Sequence, residues 1–545
     1  MTTEQPSSFE LLQALLEAPA PRRSHLQRWL PSSGTLPQWN ASAKGRRSWL
    51  LPWLSSLRSL AQVIFINNPL SGAVLLLAFL LESPWMVLLA LVGTAGANLS
   101  SRCFHLASGL RQQGIHGFNG ALVGCAAAVL GGASSPESAL LWLLLVLLGS
   151  AATTLLLEAW SRVFGRIAAL PPLTLPFCLV SWGVLALAGA LPLIPADPAW
   201  LLSTPAAPEP LQALLLGVPR SFAQVFLCSG LGSGLLVLLA TALASPLTAL
   251  FGVLGALAAM VLALLLGVDP QSVAQGLWGY NGVLVAIAIG GIFYAPTRRS
   301  LLLAIAGAAL CTPLSLLLPI VLPGLPPLTI GFVLITWLLK LAAGRTLPAL
   351  MPVSLHAVVT PEEHRERFQV ARAALRDFRL HLSQRAAGSI GSAGSVVAER
   401  LVEQHDPRIS QLFASLDRDG DGSLSVQELQ QAFTGLVEPP AAACDQQLAA
   451  VLMAMDLDGN GLVDHAEFSH VMQRLQRLRQ GEERLLLYLK PADANGDDRL
   501  GADELERLLL SIGQPPLNAA ERRIVFGEQG VPLRWRGFVD RLLLT

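Results

Sequence analysis

Between about residue 60 and residue 344, the chain consists of long apolar stretches that contain few charged residues. The runs 140–157 and 235–267 are each long enough to cross a bilayer core, which takes roughly 20 apolar residues in a helix. The pattern therefore predicts an all-α, polytopic membrane protein in this part of the chain. Pro and Gly nevertheless occur inside the apolar runs, which indicates broken helices beside a shielded path for a solute.

Three sequence motifs occur twice, in the same order and at nearly the same spacing. They are an Ala-Gln-Val segment, an aromatic–Asn–Gly triplet that begins an apolar run, and a Leu-Pro-Pro-Leu-Thr segment. Their key residues in the first and second copy are Gln62 and Gln224, Phe118 and Tyr280, and Thr174 and Thr329. A shared order and spacing indicates a duplication, with one repeat over about 59–195 and the other over about 210–344.

These paired motifs resemble those of the urea transporter family, and the resemblance covers about residues 60–344. It implies two inverted repeats of five spans each, with broken pore helices and one pore in each subunit of a homotrimer. It also implies that urea crosses the lipid bilayer passively, as through a channel.

The resemblance, together with the repeat, assigns the solute path to residues of both repeats. The expected substrate-binding residues are Gln62, Phe65, Phe118, Leu122, Thr174, Gln224, Leu227, Leu277, Tyr280, Leu284 and Thr329. Facing aromatic rings can hold the flat face of urea, and narrow apolar walls exclude hydrated ions. Ordinary packing is the alternative role for each aromatic residue, and a bond to the helix backbone is the alternative for each threonine.

The second repeat differs from the first next to the Ala-Gln-Val segment, beside the expected solute path. Cys228-Ser229-Gly230 stands where the first repeat has a run that contains Asn67 and Asn68. The polar roles of the first repeat therefore do not carry over directly to this side.

The charge distribution predicts that both termini are cytoplasmic. Residues 1–58, which we assign to a cytoplasmic segment, carry several cations that include Arg58, and positive charge before a first span marks the cytoplasmic side. Two five-span repeats return the chain to that side. Lys340 and Arg345, at the end of the membrane domain that we assign to 59–344, agree with this orientation. We expect a multi-pass protein of the inner (plasma) membrane.

Motifs of enzymes are missing from the sequence. It has no nucleophile elbow, no H-E-x-x-H, no dinucleotide fingerprint and no C-x-x-C among its six cysteines. The net charge is zero, and no basic surface indicates nucleic acid as a partner. We therefore expect a transporter and not an enzyme.

A basic amphipathic helix follows the membrane domain within the segment 345–395. Thr360, Pro361 and the acidic residues after them are typical of a helix start, and apolar residues then recur at spacings of three and four over 361–385. Such a helix is a candidate intramolecular partner of a calmodulin-like domain, a membrane-surface element or a plain packing helix. The Gly/Ser-rich composition of residues 388–395 predicts a flexible linker.

Residues 396–545 carry the pattern of the EF-hand calcium loop, in which oxygen ligands alternate along twelve residues. The expected calcium ligands are Asp417, Asp419, Asp421, Ser423 and Glu428 in the first loop, Asp456, Asp458, Asn460, Leu462 and Glu467 in the second, and Asp493, Asn495, Asp497, Arg499 and Glu504 in the third. The third loop has Asp498 where glycine is usual, which predicts weaker binding. The spacing predicts a degenerate fourth unit near 520–542, and the whole resembles the calmodulin and calcineurin-B-like family.

Two pairs of hypotheses follow from these assignments. The pore passes urea, or the same fold passes another small amide or ammonia. The calcium domain grips helix 361–385 and regulates the pore, or it acts only as a calcium-dependent docking module for another partner.

Overall fold

The computed structural model describes residues 32–42, 48–132, 135–167, 170–191, 193, 208–346, 350, 353, 359–386, 407–425, 428, 462–469, 471–472, 499–527, 530–534 and 538. It divides into two compact units, one formed by Arg23–Glu366 and the other by Met1–Arg22 with Arg367–Thr545. The described residues are mostly helical and contain almost no β-strand, which confirms the predicted all-α class.

The membrane unit contains the same series of helices twice. The first series is α1 (Leu50–Gln62), α2 (Pro69–Glu82), α3 (Pro84–Cys103), α4 (Phe118–Leu130), α5 (Pro136–Ile167) and α6 (Leu175–Ala190). The second is α7 (Pro210–Gln224), α8 (Leu231–Ala244), α9 (Pro246–Leu265), α10 (Tyr280–Ile287), α11 (Arg298–Val321) and α12 (Ile330–Thr346). Short helices occur at Pro37–Ser42, Ser108–Gln112 and Pro270–Ala274, and a π-helical turn, Ala288–Ile292, continues α10. The duplicated motifs therefore mark a structural duplication.

Serine followed by proline ends one apolar helix and starts the next at matched places in the two repeats. The Ser83 hydroxyl accepts from the N–H of Met86 at 3.1 Å, and the Ser245 hydroxyl accepts from the N–H of Thr248 at 3.0 Å. Proline follows each cap, where its missing N–H and fixed φ suit the first helical turn. The apolar run 235–267 is consequently divided between α8 and α9.

Four of the described helices are long and apolar enough to cross a membrane by length and composition: α3, α5, α9 and α11. Shorter apolar helices of 10–17 residues include α2, α8 and the helices that begin at the aromatic–Asn–Gly motifs, with α10 taken together with its π-helical turn. Short apolar helices at membrane depth leave non-helical backbone that only protein or a cavity can shield.

The matched helices α2 and α8 pack against each other and run antiparallel. At one end the Ser71 hydroxyl near the start of α2 donates to the Ala240 carbonyl near the end of α8, at 2.6 Å. At the other end Glu82, the last residue of α2, accepts from the N–H of Gly230 at 2.8 Å, just before α8. Two corresponding helices thus face opposite directions within one packed pair.

Glycine brings two helix pairs into backbone contact at matched positions. A Cβ atom on Gly93 of α3 would lie 2.1 Å from the Gly120 carbonyl oxygen of α4. A Cβ atom on Gly255 of α9 would lie 2.3 Å from the Gly282 carbonyl oxygen of α10. Such close approach between membrane helices requires the absence of side chains.

Arg58 is buried, with 1% of its surface exposed, and it does not act as a free cytoplasmic charge. Its guanidinium donates to the carbonyl oxygens of Thr35 at 2.6 Å and Leu36 at 3.0 Å, and to the side chain of Asn67 at 2.9 Å. Helix α1 begins at Leu50, so residues 50–58, which we assigned to the N-terminal segment, belong to the first helix of the membrane unit.

The second unit contains paired loop–helix elements. Its helices include the larger part of α13 (Pro361–Ala386), together with α14 (Pro407–Leu416), α15 (Ala502–Ser511) and α16 (Ala519–Phe526). Strand β1 (Ser423–Leu424) pairs with β2 (Val463–Asp464), and β3 (Arg499–Leu500) pairs with β4 (Leu533–Arg534). The last pairing joins the third predicted loop to the predicted fourth unit.

Candidate functional site: a hydroxyl pair between two broken helices, and calcium loops

Within the duplicated motifs, four leucine and phenylalanine residues have left-handed backbone conformations, and they form two matched pairs. Phe65 and Leu227 have φ of 61° and 62° at the ends of the Ala-Gln-Val motifs. Leu173 and Leu328 have φ of 51° and 45° inside the Leu-Pro-Pro-Leu-Thr motifs. Such conformations are unfavourable by about 1–3 kcal/mol each and occur mainly where function requires them. They interrupt the helices at the predicted solute path.

The asparagine of each aromatic–Asn–Gly motif joins that motif to the broken helix opposite. The Asn119 side chain donates to the Leu173 carbonyl at 3.3 Å and accepts from the N–H of Phe177, also at 3.3 Å. In the second repeat, the side chain of Asn281 accepts from the N–H of Phe332 at 3.1 Å. The amide groups satisfy backbone atoms that the broken helices leave without helical partners.

Thr174 and Thr329 meet at the junction of the two repeats. Their Oγ1 atoms lie 2.6 Å apart in a hydrogen bond, and each residue has 3% of its surface exposed. The Cys178 thiol lies 3.5 Å from the Thr329 hydroxyl. The hydroxyls face each other and are not confined to bonds with their own helices.

Each repeat also fixes the proline segment of the other. The indole N–H of Trp337 on α12 donates to the Pro171 carbonyl at 2.8 Å. The indole N–H of Trp182 on α6 donates to the Pro326 carbonyl at 2.9 Å. These reciprocal bonds hold the two Leu-Pro-Pro-Leu-Thr segments side by side.

The predicted aromatic and aliphatic slot residues belong to one apolar cluster. Leu122 and Leu284 are fully buried in it, while the partly buried residues packed against it include Phe65, Phe118, Leu227 and Tyr280. The Phe65 ring contacts the Phe332 ring edge to face, with centroids 5.9 Å apart. Leu277, which we expected on another slot face, is 43% exposed.

Tyr280 adds a hydrogen bond to its aromatic surface. Its hydroxyl donates to the Leu328 carbonyl at 2.5 Å, directly beside Thr329. Phe118 has no hydroxyl at the matched position, so the two halves of the site differ in polarity here.

The two predicted glutamines occupy equivalent places with different exposure. The Gln62 carboxamide is buried and donates to the Gln113 carbonyl at 3.0 Å. The Gln224 carboxamide donates to the Gln275 carbonyl at 3.3 Å and is more exposed. Each retains a carboxamide oxygen as an acceptor for a polar solute.

The first calcium loop brings its acidic residues together. Oxygen atoms of Asp417, Asp419 and Asp421 all lie within 4.8 Å of one another. The Asp417 carboxylate accepts from the N–H groups of Gly420 and Gly422, at 2.7 and 3.0 Å, and both glycines have positive φ. A tight turn that gathers hard carboxylate oxygens fits Ca²⁺.

Glu428, at the last position of the first loop, is held by backbone groups. The N–H groups of Ser425 and Arg418 each donate to its carboxylate at 2.9 Å. The bond from Ser425 is the main cause that lowers the pKa of Glu428, and the bond from Arg418 adds to it, against a smaller opposing effect of burial. The residue is therefore ionised, as a calcium ligand must be.

The other two predicted loops are described only in part. Asp456, Asp458, Asn460, Asp493, Asn495, Asp497 and Asp498 lie outside the described residues. In the second loop, the Glu467 carboxylate accepts from the N–H of Asp464 at 3.0 Å, and Leu462 is 40% exposed. In the third, the Glu504 carboxylate accepts from the N–H of Gly501 at 2.8 Å. Arg499 begins strand β3 of this loop, just as Ser423 begins strand β1 of the first loop.

Comparisons with known proteins identify the family of the membrane unit. A model of the urea transporter family matches residues 54–345. Over 320 residues the chain is 31% identical to urea transporter 1 of Ovis aries, covering 57% of this chain and 81% of the sheep protein. Over 329 residues it is 30% identical to urea transporter 1 of Mus musculus, covering 58% of this chain and 82% of the mouse protein. The chain belongs to the urea transporter family.

This member of the urea transporter family also carries an EF-hand domain pair, whose model matches residues 406–473. That range contains the first two predicted calcium loops and the β1–β2 pairing. The comparisons confirm both resemblances that the sequence motifs indicated.

Several residues that organise the candidate site were not among the residues predicted from the sequence. They are Asn119, Asn281, Trp182, Trp337 and Glu82. The asparagines and tryptophans recur at matched positions, so the repeat itself carried a signal for them. Glu82 has no acidic counterpart in the second repeat, and only the packing of α2 on α8 gives it a role.

Proposed function

We propose that the protein is a passive, channel-type transporter of urea. The single observation that carries this proposal is the hydrogen-bonded pair of Thr174 and Thr329, one from each repeat, at the junction of two broken helices. Aromatic and aliphatic residues from both repeats pack around the same junction. The path then offers hydroxyl, carboxamide and carbonyl groups between apolar walls, which suits a flat, neutral, polar solute.

In this proposal urea passes the junction by exchanging hydrogen bonds. The Thr174 and Thr329 hydroxyls release each other and bond to the carbonyl and N–H groups of urea. One hydrogen bond replaces another, so the net change in free energy is small. A hydrated ion lacks this option, because apolar walls cannot replace its water shell.

The same proposal includes the arrangement of the chain in the membrane. Antiparallel packing of α2 and α8 supports repeats of opposite orientation. We propose that both termini lie on the cytoplasmic side of an inner (plasma) membrane, as the cations of residues 1–58 suggest. We further propose the homotrimeric assembly, with one pore in each subunit, that membership of the urea transporter family suggests.

Stopped-flow efflux of urea from proteoliposomes tests the transport proposal. Vesicles with the protein should release urea faster than empty vesicles, and N-methylated ureas should pass more slowly because methyl groups widen the flat solute. Equal rates for urea in loaded and empty vesicles would refute the proposal. Faster passage of ammonia or of another small amide than of urea would instead favour the second candidate solute class.

Calcium binding and regulation form a second part of the proposed function. The carboxylates of Asp417, Asp419, Asp421 and Glu428, with the Ser423 carbonyl, would hold Ca²⁺ in the first loop. The ion would supply charge neutralisation that lets these acidic groups stay close together. By their sequence pattern the second and third loops are further sites.

The start of helix α13 is bonded to the membrane unit, which would allow calcium binding to affect the pore. In the membrane unit its Glu362 carboxylate accepts from the Ser245 hydroxyl at 2.6 Å and from the N–H of Leu247 at 2.7 Å. Pro361 packs on Gly291, in the π-helical turn that continues α10 from Tyr280. Calcium-dependent strain on α13 would thus be transmitted to α10, which begins at the predicted slot residue Tyr280.

The calcium-binding unit holds the later part of the same helix. The Phe378 ring contacts the Phe538 ring edge to face at 5.7 Å, and Leu375 and Leu382 are fully buried. Arg379 forms an ion pair with the buried carboxylate of Glu521. These contacts favour gripping of this helix over the docking of an unrelated partner.

Urea efflux measured with calcium and with a chelator tests the regulation. We expect two different rates from the same vesicles. Equal rates, with calcium binding confirmed by calorimetry on the full chain, would leave the docking module as the function of this domain.

A further inference from the structure

A cavity of about 660 Å³ lies at the surface of the membrane unit, between α1, α3 and the short helix Ser108–Gln112. Its wall combines apolar side chains, among them Trp49, Leu99 and Leu147, with the guanidinium groups of Arg102 and Arg111. It is separate from the Thr174–Thr329 junction, and the transport proposal makes no use of it.

The cavity has positive charge and lacks negative charge. None of the described residues that line it is acidic. The pKa of Arg111 is lowered, first by burial and then by the nearby charge of Arg102, so the two cations repel each other. The Arg111 guanidinium donates to the Ser101 hydroxyl at 3.4 Å, a neutral partner that leaves its charge uncompensated. Two neighbouring guanidiniums on an acid-free wall are suited to a phosphate group.

The apolar part of the wall indicates that the phosphate belongs to a lipid. Trp49 and Leu99, both on the cavity wall, are 66% and 56% exposed, and Trp53 in the next turn of α1 is 59% exposed. Tryptophan at such a border is typical of the membrane–water interface, where acyl chains meet headgroups. A free anion would make no use of this apolar surface.

The lining also contains a buried acceptor that has no donor. The Oδ1 atom of Asn98 is buried without a hydrogen-bond partner. If the Asn98 side chain rotates toward the cavity, a headgroup hydroxyl can donate to it while the phosphate contacts the arginines.

We propose that this cavity binds the headgroup of an anionic, hydroxyl-bearing glycerophospholipid of the phosphatidylglycerol type, with Arg102 and Arg111 on its phosphate and an acyl chain along Trp49 and Leu99. The bound lipid contacts the peptide segment that orients a slot residue. The Ser55 hydroxyl donates to the Arg111 carbonyl at 2.6 Å, and the Gln62 carboxamide donates to the Gln113 carbonyl two residues later.

Lipid titration of the detergent-solubilised full chain, followed by native mass spectrometry, tests the proposal. Phosphatidylglycerol should bind, and phosphatidylcholine and soluble glycerol 3-phosphate should bind far more weakly. The double substitution Arg102→Gln/Arg111→Gln should weaken phosphatidylglycerol binding by about thirtyfold. The matched control Arg298→Gln/Arg299→Gln removes two exposed arginines from the same unit and should change it by less than about threefold.

Three outcomes would overturn the proposal: equal losses for both double variants, equal binding of phosphatidylcholine, or saturation by glycerol 3-phosphate alone. Ser56→Glu covers the case in which the arginine variant fails to fold. Ser56 lines the cavity and is partly exposed, so this substitution places negative charge inside with both arginines retained. It should abolish phosphatidylglycerol binding, and retained binding would also refute the proposal.

Discussion

The hydroxyl oxygens of Thr174 and Thr329 lie 2.6 Å apart, although the two residues come from different repeats of the chain. Each follows a leucine in a left-handed conformation, and each precedes the helix that ends its repeat. The bond therefore joins two interrupted helices at the point where both expose polar backbone.

The first prediction concerns this threonine pair. Thr174→Val and Thr329→Val keep the side-chain shape but remove a group that exchanges hydrogen bonds with urea. Either substitution should lower urea permeability in stopped-flow efflux by about tenfold, since a lost hydrogen bond to a desolvated polar group is unfavourable by about 1–3 kcal/mol.

Thr336→Val is the matched control for the threonine pair. Thr336 is fully buried in α12, and its hydroxyl has no hydrogen-bond partner. Its replacement should leave permeability unchanged. Permeability equal to that of the native protein in all three variants would contradict a role for the hydroxyl pair in transport.

The second prediction concerns the indole bonds between the repeats. Trp337→Phe leaves the Pro171 carbonyl without its donor and should lower the free energy of unfolding by about 1 kcal/mol. Permeability should fall as well, because this bond positions the segment that ends at Thr174. Thermal melting in detergent and urea efflux measure the two effects.

Trp160→Phe serves as the control for Trp337→Phe. Trp160 stacks on Trp337 with ring centroids 5.0 Å apart, and its own indole N–H has no hydrogen-bond partner. If both substitutions have the same effect, stacking and not the bond to Pro171 accounts for it.

The third prediction concerns the helix cap that Glu82 provides. Its carboxylate accepts from the N–H of Gly230 at 2.8 Å and from the Ser233 hydroxyl at 2.5 Å. At the matched position of the first repeat, Asn68 caps α2 with its own side chain. Glu82→Ala should therefore destabilise the protein by about 1 kcal/mol in thermal melting.

A second substitution can replace the lost cap. The nearest atom to a Cβ on Gly230 would be Glu82 Oε1, at 2.7 Å, so Glu82→Ala creates room for a side chain there. Glu82→Ala/Gly230→Asn should recover most of the stability that Glu82→Ala loses. No recovery would mean that Glu82 acts through another contact, for example with Ser233.

The fourth prediction concerns Glu362 as the link between α13 and the membrane unit. Glu362→Gln removes the charge that accepts from Ser245 and Leu247. The calcium-dependent difference in urea efflux should shrink by at least about tenfold, because charge-assisted bonds are roughly twice as strong as neutral ones. Calcium binding, measured by calorimetry on the same protein, should not change.

Asp377→Asn removes one negative charge from an exposed position of the same helix and is the control for Glu362→Gln. It should retain the full calcium-dependent difference. If the two variants respond alike, the effect arises from the charge of the helix and not from the contacts of Glu362.

The fifth prediction concerns Glu428 in the first calcium loop. Its pKa is lowered mainly by the bond from the Ser425 N–H, so its ionised form stabilises the folded loop. This contribution is present above the ordinary pKa of glutamate and is lost as the pH falls through the lowered value. Without calcium, acid unfolding of Glu428→Gln should consequently depend less on pH than that of the native protein.

Calorimetry with calcium adds a second measurement for Glu428→Gln, which should bind one ion fewer at neutral pH. Asp503→Asn replaces an exposed acid that lies outside the proposed ligands and should keep both the stoichiometry and the pH dependence. Full calcium stoichiometry in Glu428→Gln would exclude this residue as a ligand.

Features that repeat along the chain could be predicted from the amino-acid sequence. Apolar runs with internal Pro and Gly predicted a helical membrane unit, and three recurring motifs located both broken helices. Twelve-residue loops with alternating acidic residues indicated calcium sites, because a hard cation needs oxygen ligands at fixed intervals. These features depend on neighbours along the chain, so local order is enough to reveal them.

Contacts between residues that are far apart in the sequence could not be predicted in this way. The contacts of Thr174 with Thr329, of Trp337 with Pro171 and of Glu82 with Gly230 join residues of different repeats. Arg58, which the sequence only counted among the cations of residues 1–58, is likewise a buried donor for the Thr35 carbonyl. A hydrogen bond needs its donor and acceptor within about 3 Å, and only the packing of the helices sets that distance.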